Sequence, residues 1–88
     1  MKHGIKNILG MELEQWSYKS CLANFGIGDN WATLYDIKSE KEGNGHATAL
    51  LTAAKRFYEE QGKKFGGSVA LNPRMRNLYI KLGIEEYN

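Results

Sequence analysis

The chain has one cysteine, Cys21, one proline, Pro73, and no apolar run longer than a few residues. A lone cysteine excludes an internal disulfide framework and a multi-cysteine zinc site, and it suits a reducing, cytoplasmic compartment. Short apolar runs leave no candidate for a membrane-spanning helix, so no membrane partner is expected. The start, Met1-Lys2-His3-Gly4-Ile5, is broken by charge and glycine and offers no stretch for a secretion signal. Net charge is also small: 12 basic against 10 acidic residues leaves +2. That total argues against nucleic acid, which usually demands a denser stripe of lysine and arginine. The first 40 residues sum to −1 and the remainder to +3, a mild bias that suits a small anionic ligand.

What is present fits one domain over residues 1–88 with a thin core, since a chain this short hides only about 60–65% of its unfolded surface. The N-terminal stretch is ambiguous. Ile5, Ile8, Leu9, Leu13 and Trp16 fit a helical stripe, but Gly10 interrupts it and shorter strands fit as well. From Ser17 the pattern becomes alternating through Cys21, Ala23, Phe25 and Ile27. Turn residues Gly26–Asn30 follow, then a second strand over 31–37, which predicts a hairpin. Further on, Ala47, Leu50, Leu51, Ala54, Phe57 and Tyr58 form one face of a helix over 46–61, with Gly62 where a left-handed cap is wanted. Phe65, Gly67, Val69 and Leu71 alternate as a strand. Asn72-Pro73 then opens a helix over 74–82, closed by Gly83. Strand, helix, strand in this order predicts a parallel pair joined by a crossover.

Glu42-Gly43-Asn44-Gly45-His46-Ala47 joins a strand to a helix. Small residues there let several N–H groups converge at the positive end of the helix, a nest suited to phosphate. The same residues also make a plain tight turn. The loop lacks the Gly-Lys-Ser/Thr ending of a nucleotide-hydrolysing P-loop. It also lacks the third glycine and the later acid of a dinucleotide fingerprint.

The stretch read at Ile37, Glu42, Gly43, Gly45, Ala47, Leu50 and Leu51 resembles the acyl-CoA-binding motif of the GNAT family of N-acetyltransferases. Asn72-Pro-Arg-Met-Arg-Asn-Leu78-Tyr79 through Gly83-Ile84 resembles that family's second motif. The resemblance covers roughly residues 31–88. It implies a minimal α/β (α+β) fold: a mixed central sheet with a splayed parallel strand pair and two helices. It further implies acetyl-CoA as co-substrate, without metal, held by Ile37, Gly43, Asn44, Gly45, His46, Ala47 and Asn72. The activity implied is transfer of an acetyl group to a primary amine.

In that family the pyrophosphate sits on the loop amides and the pantetheine arm pairs with the first strand. Backbone N–H near Tyr35 to Ile37 would polarise the thioester carbonyl. Tyr79 falls where the family places the acid that protonates the leaving thiolate. Tyr35 and Asp36 are candidates for the base, and strand alternation puts them on opposite faces. Each residue also has a structural reading: Tyr79 as a core aromatic beside Met75, Leu78 and Leu82, Asn72 as a helix cap, His46 as a loop residue. Glu42 replaces the family's arginine. The helices that usually wall the acceptor have no counterpart ahead of residue 31, so the wall is expected from a macromolecular acceptor, such as a protein, or from a homodimer. Trp16, Tyr18 and Trp31 would anchor that interface. The alternative function is a non-catalytic module of the same fold, with or without bound CoA.

Overall fold

The computed structural model describes residues 1–40, 45–70 and 72–86. Four strands, β1 (Lys2–Ile8), β2 (Met11–Tyr18), β3 (Cys21–Ile27) and β4 (Trp31–Ser39), form an antiparallel meander. Helix α1 (His46–Glu60) leads to β5 (Lys64–Gly67), and α2 (Pro73–Leu82) leads to β6 (Glu85–Glu86). Both β5 and β6 are parallel to their neighbours, and strand order in the sheet follows chain order from β1 to β6. The result is an α+β domain built on one mixed six-stranded sheet with two helices.

The ambiguous N-terminal stretch is a hairpin. Leu9 (φ 51°) and Gly10 (φ 82°) are both left-handed, the turn that matches strand twist, and Leu9 projects into solvent. The two helices end as their glycines predict. Gly62 and Gly83 have positive φ, and Asn72 Oδ1 accepts from Met75 N at 2.8 Å at the start of α2.

Leu50, Leu51, Ala54 and Tyr58 of α1 pack on Phe25, Leu34 and Phe65, and α2 adds Met75 and Tyr79 to the same cluster. Both helices therefore cover one face of the sheet. Burying this set supplies the core, at about 1.5–3 kcal/mol for each large apolar side chain. No described helix or strand covers the other face.

Two features differ from the expectation of regular strands. Asn24 pairs with Asp36, but Phe25 pairs with Leu34, so Tyr35 is an extra residue in β4. This bulge cancels one step of alternation. Tyr35 lies against Gly26 and Asp36 accepts from Asn24, and Gly26 and Asn24 share a face. Tyr35 and Asp36 thus stand on the same, uncovered face, correcting the expectation of opposite faces. The second difference is β5, which stops at Gly67 rather than running to Leu71; Ser68–Ala70 carry no regular structure and Leu71 lies outside the described residues. A side chain at Gly67 would overlap the Tyr79 phenol, so β5 ends where the helix above it presses closest.

Candidate functional site

The end of β5 leaves a fork. Pairing between β4 and β5 stops at Leu34–Gly67, while β4 continues to Ser39. Ser68 closes the crotch: its N–H donates to the Leu34 carbonyl at 2.9 Å and its Oγ to the Tyr35 carbonyl at 3.2 Å. Its own carbonyl accepts from the Tyr79 hydroxyl at 2.9 Å. Beyond the crotch a cavity of about 40 Å³ is lined by Ile37, Asn72, Arg74, Met75 and Leu78. That volume holds little more than one water molecule.

The predicted residues divide between this fork and its surroundings. Tyr79 stands at the crotch, 2% exposed, and burial pushes its phenol above the usual value; Glu86 acts in the same direction and the Ser68 side chain offsets part of the rise. Ile37 and Asn72 both line the cavity, with the Asn72 side chain engaged as the α2 cap. Gly43 and Asn44, with Glu42, lie outside the described residues. Gly45 (φ 72°) precedes α1, and its carbonyl accepts from Ala49 N at 3.0 Å. The first turn of α1 holds no acid. His46 Nδ1 is buried without a hydrogen-bond partner among the described residues, and Ala47 packs against the core.

Tyr35 and Asp36 sit on the sheet face away from the helices. Gln15, Asn24 and Asp36 form a hydrogen-bonded row across β2, β3 and β4, each link 2.9 Å. Asp36 is therefore anchored, whereas Tyr35 is 41% exposed. The proposed anchors separate likewise: Trp16 is buried on the helix side and Trp31 belongs to the open face.

Sequence reading missed Ser68, for which only the preceding Gly66-Gly67 hinted at a special backbone. It also missed a polar latch on the helix side. Tyr58 donates to Glu14 Oε1 at 2.7 Å and accepts from the Trp16 indole at 3.0 Å, while His3 lies 2.6 Å from the same carboxylate and stacks on Trp16. Burial pushes the Tyr58 phenol far above its usual value, with the Trp16 donor offsetting part of the rise and Glu14 adding to it. These partners satisfy one another, so the cluster ties β1, β2 and α1 together.

No family model, curated protein or solved structure matches this chain.

Proposed function

We propose that the chain is a minimal GNAT-like acyltransferase that binds acetyl-CoA in the β4–β5 fork and passes the acetyl group to a primary amine on a protein or other macromolecule. The observation that carries this reading is the fork itself. β4 loses its parallel partner after Leu34, and α1 begins shortly beyond the free end of β4. The residues present fit the anionic half of CoA. Gly45, His46 and Ala47 bring backbone N–H groups to an acid-free helix start, and the buried His46 Nδ1 beside them has no hydrogen-bond partner among the described residues. Backbone near Ile37 would accept the pantetheine amides, and CoA supplies the thioester that the amine attacks. The cavity is small, so the pantetheine arm would need α2 to move away from β4 to enter.

One observation favours a second reading, a CoA-binding module without turnover. The Tyr79 hydroxyl is buried, weakened as an acid and already donating to Ser68. A proton reaches the leaving thiolate only if that hydrogen bond breaks.

Thermal unfolding with acetyl-CoA tests the shared premise. Ligand at about 100 times its dissociation constant adds about 2.7 kcal/mol, a rise of roughly 10 °C or more for a domain this size. A folded protein whose melting point does not move removes both readings. A shift without acetylation of any protein lysine or N-terminal amine selects the module. For the enzyme, Tyr79→Phe is expected to lower turnover about 100-fold with CoA affinity unchanged. Equal turnover by mutant and parent assigns Tyr79 to the core.

A further inference from the structure

We infer that the uncovered face of the sheet is a binding surface for single-stranded nucleic acid. The pairing register arranges that face in rows. Lys2 lies beside Ser17, which faces Leu22, which faces Lys38. Lys6 lies beside Leu13, and further across the same level Gly26 faces Thr33, which faces Gly66. At the next level Trp31 faces Lys64. Four exposed lysines thus frame the face, and its floor is low at Gly4 and Gly66, which bring no side chain to it. A shallow groove of about 430 Å³ on this face is lined by Met11, Leu13, Trp31, Thr33 and Tyr35, with Glu12 also in its lining.

The net charge of the chain is concentrated here. Against its four lysines this face carries two acids, Asp36, already bonded to Asn24, and Glu85, beside Gly66 at the β6 edge, so the face holds the whole net +2 and all other residues together sum to zero. None of the four lysines makes an ion pair to a described residue. A second copy of the same face would bring lysine onto lysine, so self-association there is opposed. The aromatic residues decide between anionic partners. The Tyr35 ring packs against Gly26, close enough that a Cβ there would sit 2.6 Å from its atoms, and is 41% exposed. An exposed ring packed against the backbone offers a stacking surface for a base, and Trp31 lines the same groove, with the Lys64 ammonium 5.6 Å from its ring centre. Carboxylates of an acidic protein gain nothing from such a platform, and paired bases of a duplex cannot reach it.

The test is titration of the full chain, without CoA, with a fluorescein-labelled oligouridine, so the acyl-transfer reading and this one stand or fall separately. Binding is expected at low salt, with log affinity falling against log salt at a slope of about −0.7 per neutralised phosphate, so roughly −2 to −3 in all. Tyr35→Ala is expected to weaken binding roughly tenfold or more. Lys2→Ala with Lys6→Ala is expected to flatten the slope by about 1.4. Tryptophan fluorescence is expected to be quenched through Trp31, because Trp16 is buried beneath His3. Arg56→Ala, on α1, is expected to bind as the parent does, and circular dichroism checks that each variant is folded. No binding at low salt overturns the inference. So does equal affinity for a duplex of the same length, equal competition by polyglutamate, or equal loss in Arg56→Ala and Tyr35→Ala.

Discussion

Each face of the sheet sets a tyrosine ring on a glycine, and the two pairs end in opposite states. On the helix side Tyr79 lies over Gly67, 2% exposed, its hydroxyl donating to Ser68. On the open side Tyr35 lies over Gly26, 41% exposed, with no described helix or strand above it. The missing side chain does the same local job in both, letting a ring approach the backbone. What differs is the second layer: α2 holds the first ring in place, and no described helix or strand covers the second. The same pair therefore acts as a lock on one face and as a presented surface on the other.

The largest effect that would sharpen this contrast lies in the core beneath α1. Phe25→Ala is expected to cost about 3–5 kcal/mol, much of the stability of a small domain, whereas Thr33→Ala on the open face should fall within about 0.5 kcal/mol. Denaturant midpoints measure both. Comparable losses would show that the open face is packed after all.

A smaller effect separates the glycines. Gly67→Ala drives a methyl into a ring that cannot move, for a loss of about 1–3 kcal/mol; at Gly26 the exposed Tyr35 ring can swing away, and the loss should stay below about 1 kcal/mol. Equal losses would break the comparison.

A further effect appears in alkali. Burial holds the Tyr58 and Tyr79 phenols above the ordinary value, so above about pH 10 the folded chain keeps protons that the unfolded chain has released. Stability is then full below pH 10 and falls as pH rises beyond it, by up to about 1.4 kcal/mol per pH unit for each phenol. Urea unfolding at pH 9 and pH 11 measures the fall, and Tyr58→Phe should reduce it. A slope unchanged in that variant would locate the linkage elsewhere.

The helices were legible because their signals are local. Apolar spacing, the Asn72-Pro73 start and the glycines after each helix act within a turn or two, and the observed α1 and α2 differ from expectation by one residue at one end. The first hairpin was not legible. β1 is exposed along nearly its whole length, so it shows no buried alternation, and a leucine in a left-handed turn carries no turn signature. The Tyr35 bulge leaves no trace in residue type, which is why the alternation argument set Tyr35 and Asp36 on opposite faces. The end of β5 is set by Tyr79, twelve residues later, a contact that no window around Gly67 contains. The chemistry-bearing positions thus depended most on contacts distant in sequence.

Because strand order follows chain order throughout, no strand has to be inserted between two others already formed. The sheet can lengthen at a single advancing edge as the chain leaves the ribosome, amino-terminal part first. Its first three junctions close short loops, the kind that form fastest. Only β5 and β6 must wait for a helix to bring them round. The growing edge at each pause is the strand just laid down, and after β4 that edge is the future crotch of the fork. A nascent chain halted there exposes the outer edge of β4 from Trp31 to Ser39, the stretch most open to wrong partners until β5 pairs with Trp31–Leu34.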